Sequence, residues 1–324
     1  MTIDSRIQGR DLQGQDPQDQ DIHQPVLHSR PTNLIVVGID GTAGSKQAAR
    51  WAAAEAVRRH APLRLVSAYS IPIGMLEYAA VDDGTISWLR DGLELVQTDI
   101  TEELTAAHPG LEISGIVAEA SPMALLRRES ENTAMLVVAT RDSGRLLHVV
   151  LGSVALGAAS ECPAPVVVIR PGAAMPKPDA PVVVGIDGSP TSELAVAFAF
   201  EAAAVRAAPL LAVHSWNDNF AFDVAGTAEV GPRVNVADLE EDEREVLSER
   251  LAGWRDKYPD VVVQQTVVRG RPTENLLRLS ENAQLLVVGS RGRSGLVGAL
   301  LGSTSHALIT HSVCPVAVVK PAQQ

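Results

Sequence analysis

Short, nearly uninterrupted apolar runs punctuate the chain at regular intervals. In the first half they are LIVVGI (Leu34 to Ile39), LRLVSA (Leu63 to Ala68), LEISGIV (Leu111 to Val117), MLVVAT (Met135 to Thr140) and VVVIR (Val166 to Arg170). Runs this short, rich in Val and Ile and bounded by turn residues, predict strands rather than helices. The longer stretches between them predict helices. An Ala-rich helix follows the first run, starting after Ser45, a serine placed to cap it. A long helix spans roughly Ile86 to Ala107, a short one begins near Pro122, where a first-turn proline loses nothing, and another opens at Gly152.

The second half repeats the first. NLIVVGIDG (Asn33 to Gly41) matches APVVVGIDG (Ala180 to Gly188), and PLRLVSAY (Pro62 to Tyr69) matches PLLAVHSW (Pro209 to Trp216), both at an offset of 147. LVVATRD, LGSV and PVVVIRP match LVVGSRG, LGST and PVAVVKP at an offset of 150. The collinear order marks a duplicated domain, with a period far too long for a solenoid. Copy two therefore carries the same elements: a helix after Ser192, a long helix from about Asp238 to Lys257, a short one near Pro272 and a last one at Gly302. The division is a tail over 1–30, copy one over 31–171, a Pro-containing linker over 172–179 and copy two over 180–321. The tail, rich in Gln and Asp with few apolar residues, reads as disordered or as an interaction arm.

Alternating strands and helices imply right-handed βαβ units and parallel sheets, and the continuous Val/Ile/Leu runs imply sheets covered on both faces. The expected fold is α/β: two tandem, doubly wound, parallel five-stranded sheets flanked by helices. Ligands of such sheets bind beyond the carboxyl ends of the strands. In copy two the segment after the fourth strand is GSRGRSGLVGALLGSTS (Gly289 to Ser305). Gly289 lets a sugar or phosphate approach the backbone, and Gly292 is free to take positive φ and turn its amide to an anion. Gly302 and Ser303 open the last helix, whose first amides and dipole favour phosphate. Ser303, Thr304 and Ser305 add hydroxyls, and Arg291 and Arg293 add positive charge. A lone glycine pair of this spacing is a flexible loop; three glycines, a serine and a helix start after a strand point to an anion site. It is neither a Walker loop nor a Rossmann fingerprint.

With VGIDG at both first-strand ends and G-x-x-G-(nine)-G-S at Gly289, Gly292, Gly302 and Ser303, the chain resembles a tandem universal stress protein from about Asn33 to Pro321. That resemblance implies an adenine-nucleotide α-hydrolase-like fold whose usual ligand is ATP; Mg²⁺ enters as an ion that the copy-one carboxylate Asp142 could recruit. The resemblance also implies sheets paired through their last strands, at Val166 to Arg170 and Val316 to Lys320, and a role in stress survival. Residue by residue, it implies Gly185 and Asp187 near ribose or phosphates, and Val213 meeting adenine through its backbone. Gly289, Ser290, Arg291, Gly292, Arg293, Ser294 and Gly295 would wrap ribose and phosphates, and Gly302 to Ser305 would hold the phosphate tail. Taken alone, Asp187 reads equally as a turn aspartate bonding its own backbone. In copy one, Gly38, Asp40, Arg141, Gly152 and Ser153 keep the pattern. Ala139, Ala120 and Asp142 break it: they stand where copy two has Gly289, Gly270 and Gly292. A methyl at Ala139 is expected to crowd the ribose, and the Asp142 charge to repel phosphate. Copy one is expected to bind ATP weakly or not at all.

Composition narrows the reading further. A net charge of −12 argues against a nucleic-acid footprint. No apolar run is long enough to span a bilayer, and the start lacks a signal-peptide pattern, so a cytoplasmic setting is expected. The eight histidines show no metal-type pairing, so no metal site and no catalytic residue are assigned. His214 reads as a structural histidine or a base contact, Cys162 and Cys314 as buried, inert thiols, and the acidic run Asp238 to Glu245 as a solvated helix start. The function expected is nucleotide-dependent regulation. Its alternatives are a slow ATPase or nucleotidyl transferase, a cyclic-AMP binder, or a nucleotide-free scaffold. A pseudo-dimer within the chain and a further homodimer are both plausible on this reading.

Overall fold

The computed structural model describes residues 33–70, 83–140, 152–172, 179–216, 236–292 and 301–321. The N-terminal tail, most of the linker, Arg141, Asp142, Arg293, Ser294 and Gly295 lie outside the described residues. Copy one runs β1 (Ile35–Gly38), α1 (Ala43–Arg59), β2 (Leu63–Tyr69), α2 (Asp83–Ala107), β3 (Ile113–Glu119), α3 (Pro122–Glu129), β4 (Met135–Ala139), α4 (Ser153–Glu161) and β5 (Val166–Ile169). Copy two repeats the order with β6 (Val182–Ile186), α5 (Pro190–Arg206), β7 (Leu210–Trp216), α6 (Val236–Lys257), β8 (Val263–Arg269), α7 (Pro272–Ser280), β9 (Leu285–Gly289), α8 (Ser303–His311) and β10 (Val316–Val319).

The two five-stranded sheets join into one of ten strands, in the order β3-β2-β1-β4-β5-β10-β9-β6-β7-β8. Pairing is parallel throughout except at the seam, where β5 and β10 run antiparallel with Val166 opposite Val318. The central strands are apolar on both sides because both sides are covered. Ile35 and Val37 face one core, shared with α1, α2, α5 and α6. Val36 faces the other, shared with α3, α4, α7 and α8. Both cores run without a break from copy one into copy two, and no described helix is long and apolar enough to cross a membrane.

Helices reinforce the seam. Where α1 meets α5, the fully buried Glu55 accepts from Arg59 Nε (2.5 Å) and from Arg206 Nη2 (2.6 Å), and Arg59 also pairs with Glu201. Arg59 lies over the Phe198 ring and Arg206 over Trp51. These are matching positions of the two copies, so the stacking is reciprocal about a pseudo-two-fold axis. Burial alone pushes the Glu55 carboxyl up; the charges of Arg206, Arg59 and Arg58 outweigh it and hold the group below the usual carboxylate range. At the strand ends the exchange recurs. Lys320 of copy two reaches the Ala158 carbonyl of α4 (3.3 Å), and Arg170 of copy one reaches the His311 carbonyl of α8 (3.2 Å). Each cation thus meets late carbonyls of the other copy's last helix.

The caps differ from expectation. Thr42, not Ser45, caps α1, and Ser189, not Ser192, caps α5. The helices start three residues early, with Pro190 at the first position of α5. Ser45 and Ser192 return a bond, each donating its hydroxyl to the cap carbonyl (3.0 and 2.9 Å). Both helices end on a non-glycine residue in the left-handed region, His60 (φ 48°) and Ala207 (φ 49°).

Candidate functional site

At the carboxyl ends of β6, β7 and β9 lies a cavity of about 660 Å³. That is within the usual range of roughly 300–1,000 Å³ for small-molecule sites. It has two chemically distinct ends. One is walled by Val213, Val288, Pro272 and Leu276, with Ser215 among them. The other is formed by Asp187, Arg291, Gly292 and the first turn of α8, Gly302 to His306. Gly302 caps α8 without a side-chain hydrogen bond, so no cap hydroxyl stands over the helix's first amides, where an anion is favoured.

The loop after β9 is positioned from several directions. Ser290 N–H donates to the Val319 carbonyl (2.8 Å) and Gly302 N–H to the Ser290 carbonyl (2.8 Å). Ser305 Oγ donates to the Gly289 carbonyl (2.7 Å), which ties the strand end to α8. Thr191 Oγ1 donates to the Arg291 carbonyl (2.5 Å) and ties the loop to α5. Asp187 makes the turn bond and also faces the cavity. Its Oδ1 accepts from Ser189 N–H (3.0 Å), a turn bond, while the residue also lines the cavity.

Of the residues expected in copy two, the cavity brings together Gly185, Asp187, Val213, Gly289, Arg291, Gly292, Gly302, Ser303, Thr304 and Ser305. Ser290 is buried behind them. Packing adds a reason for Gly289 and replaces the expected one for Gly292. Gly292 does not take positive φ; a side chain there would instead place its first carbon 2.5 Å from Asp187 Oδ2. A methyl on Gly289 would meet Thr191, at 2.7 Å from Oγ1 and 2.9 Å from the backbone carbonyl carbon. Copy one inverts this packing: Ala139 holds the Gly289 position and Gly44 the Thr191 position. The methyl of Ala139 is therefore accommodated by a glycine on the neighbouring helix.

Copy one retains a cavity at the matching place, of only about 110 Å³, lined by Gly38, Asp40, Ala139, Gly152 and Ser153 among others. Polar groups of copy two are missing from it. Ala68 stands for Ser215, Val154 for Thr304 and Ala155 for Ser305, and Leu125 lines it where copy two has Asn275, which bonds Ser215. Sequence reading missed Ser215, Asn275, Thr191 and His306. The first could have been found from the strand period, since Ser215 shares a face with Val213.

The structure makes His214 a framework residue. It is buried, with Nδ1 donating to the Ile186 carbonyl (2.7 Å) and Nε2 3.1 Å from Glu243 on α6. One residue of the acidic helix start thus holds a partner. Burial raises both thiols, Cys314 up to about 11, as expected of inert cysteines. Among the described residues no cluster of His, Cys, Asp or Glu could hold a metal ion.

This arrangement places a Gly-rich loop and a helix start at the strand ends of a doubled α/β sheet. Residues 32–170 and 180–320 each match the universal stress protein family. The chain is 38% identical over 316 residues to universal stress protein Rv1996 of Mycobacterium tuberculosis, covering 91% of this chain and 97% of that protein. It is 38% identical over 293 residues to Rv2623 of the same organism, covering 88% and 96%. Among solved structures, a universal stress protein from Archaeoglobus fulgidus superimposes with a TM-score of 0.66 at 20% identity, over 89% of this chain and 98% of that one. The chain belongs to the universal stress protein family, as a tandem of two domains.

Proposed function

We propose that the protein binds an adenine nucleotide, as ATP, in the copy-two cavity, and that occupancy regulates its partner contacts or assembly in a stress response. The observation that carries this reading is the cavity's division into an apolar end for a base and a helix start for phosphates, at a volume a nucleotide needs. Asp187 is the carboxylate at hand for a Mg²⁺ arriving with the triphosphate. Copy one, with a cavity below the usual range and three polar lining positions replaced by apolar side chains, serves as the partner domain. Regulation further requires that nucleotide bind two states of the protein unequally.

Calorimetric titration of the full chain with ATP tests the reading. One site per chain is expected, abolished by Gly292→Asp, which puts a carboxylate against Asp187, and unaffected by Gly152→Val in copy one. Two equal sites, or ATP binding that survives Gly292→Asp, would overturn the assignment to copy two. Parallel titrations with cyclic AMP and a turnover assay distinguish ATP binding from a cyclic-nucleotide sensor and from an ATPase.

A further inference from the structure

Two copies of one fold show which surface residues the fold does not require. Helices α2 and α6 occupy matching places and end alike. His108 N–H donates to the Leu104 carbonyl (2.8 Å) and Tyr258 N–H to the Trp254 carbonyl (2.9 Å), at an offset of 150. Counted back along both helices, Trp88, Gly92 and Leu95 of α2 stand where α6 carries Asp238, Asp242 and Glu245. In α2 these positions share one helix face. Trp88 is 73% exposed and Leu95 63%, and a Cβ on Gly92 would meet nothing within 4 Å. The core does not require the two large side chains, since copy two has acids in their places. They lie two turns apart, about 10 Å along the axis, with a glycine between them that lets another backbone approach. Such spacing makes a docking stripe rather than a scatter of exposed residues.

The rest of this face sets the chemistry of what it would bind. Asp99 and Glu102 continue it over the next two turns, and both are exposed. From Asp83 to Ala107 the helix has six carboxylates and one cation, Arg90, which is engaged by Asp91 (3.1 Å) and Glu94 (3.7 Å). Beside the stripe, between α2 and the edge strand β3, a groove of about 430 Å³ is lined by Glu94, Thr98, Glu102 and Gly115. The chain's own tail over 1–30 holds more acids than bases. A second α2 would bring the same carboxylates, and an anionic lipid surface would be repelled by them.

We propose that the outer face of α2 docks a basic amphipathic helix of a partner protein. Apolar residues of that helix cover Trp88 and Leu95, and its Lys or Arg side chains meet Asp99, Glu102 and the groove beside them. An exposed tryptophan at the centre of such a contact is the side chain expected to dominate its affinity. The stripe lies in copy one and shares no residue with either cavity, so the inference does not rest on the nucleotide reading.

Fluorescence anisotropy tests it, with the full chain titrated into a labelled Leu/Lys amphipathic helical peptide, a Leu/Glu peptide and a Ser/Lys peptide of equal length. The Leu/Lys peptide is expected to bind and the other two to fail. Trp88→Asp with Leu95→Glu, which installs the copy-two residues, should weaken binding about tenfold or more and leave the thermal melt unchanged. That variant is also the more acidic protein, so attraction to net charge alone would strengthen binding instead. Asp99→Asn with Glu102→Gln should weaken binding several-fold and flatten its salt dependence. The inference is overturned if the natural chain does not bind the Leu/Lys peptide, or binds the Leu/Glu or Ser/Lys peptide as well. It is equally overturned if either double variant binds undiminished. A dimer of the natural chain that Trp88→Asp with Leu95→Glu dissociates in sedimentation would make a second copy the occupant and overturn it. Flotation with phosphatidylcholine vesicles that the same variant abolishes would make the occupant a lipid surface, with the same result.

Discussion

Gly289→Ala is expected to destabilise the protein, and Thr191→Gly to absorb that loss in the double variant. The added methyl would lie 2.7 Å from Thr191 Oγ1, 3.0 Å from its Cβ and 2.9 Å from its backbone carbonyl carbon. No rotation of the threonine relieves the last of these, and the first turn of α5 is held by the Ser189 cap and by the Thr191 bond to the Arg291 carbonyl. Overpacking of this kind costs about 1–3 kcal/mol. Thr191→Gly alone loses that hydrogen bond, about 0.5–1.5 kcal/mol, and puts a glycine in a helix, about 1 kcal/mol. Simple addition then predicts a loss of about 2.5–5.5 kcal/mol for the double variant. Copy one shows why addition should fail. There Ala139 and Gly44 coexist, and the helix start settles against the strand end without a threonine. The double variant should therefore lose only about 1.5–2.5 kcal/mol, the loss of Thr191→Gly by itself. Urea unfolding of the four full-length proteins, followed by circular dichroism, measures the cycle. If Gly289→Ala costs as much in the Thr191→Gly background as in the natural one, the exchange of bulk between strand and helix is not what sets these residues.

Glu55→Gln should destabilise by about 3–5 kcal/mol, because it leaves the buried Arg206 without its carboxylate; thermal melts check it. The natural protein's extra stability from Glu55 should be present above the ordinary carboxylate range and disappear as pH falls through the lowered folded value, so acid melting curves of Glu55→Gln should be flatter in that window. Ala207→Gly should stabilise by about 0.5–1 kcal/mol in the same melts, since the left-handed φ of 49° strains any residue with a Cβ. Cys314, raised to about 11, is only about one-thousandth thiolate at pH 8 and is buried; Ellman's reagent should modify it only as the protein unfolds.

Strand positions were legible because the central strands are covered on both faces, so Ile35, Val36 and Val37 read as one apolar word. The duplication was legible for the same reason, as was the loop from Gly289 to Ser305, whose glycines and helix start are local in sequence. What escaped depends on neighbours distant in the chain. A side chain at Gly289 would meet Thr191 and one at Gly292 would meet Asp187, so neither packing constraint can be read locally, and the positive φ expected of Gly292 is absent. The expected caps lie one turn late because hydroxyl residues stand at both ends of that turn, Thr42 and Ser45 in α1 and Ser189 and Ser192 in α5, and only the hydrogen bonds tell cap from third residue. Glu55 was hidden because an acid within an Ala-rich helix reads as a solvent-facing residue. Its counterpart in copy two is Ala202, so the repeat gives no hint of a shared role.

The antiparallel seam has a consequence for how the two cavities relate. All strands of copy one run parallel to β5, and all strands of copy two run parallel to β10. Because β5 and β10 oppose each other, the carboxyl ends of the two halves, and with them the two cavities, lie at opposite edges of one sheet. A ligand held in one cavity therefore cannot touch the other. Influence between them must pass through elements both halves share. Two such elements meet the copy-two loop directly: Ser290 is bonded to β10, and Thr191 of α5 is bonded to the Arg291 carbonyl. Strand β10 lies against β5, and α5 carries Arg206 against Glu55. The substitutions that line the smaller copy-one cavity leave these contacts intact. That half still covers the edge of β10 and still supplies the carboxylate that neutralises Arg206. Copy one thus covers the edge of its neighbour whatever its own cavity holds, and the seam is where a change in one half would be felt by the other.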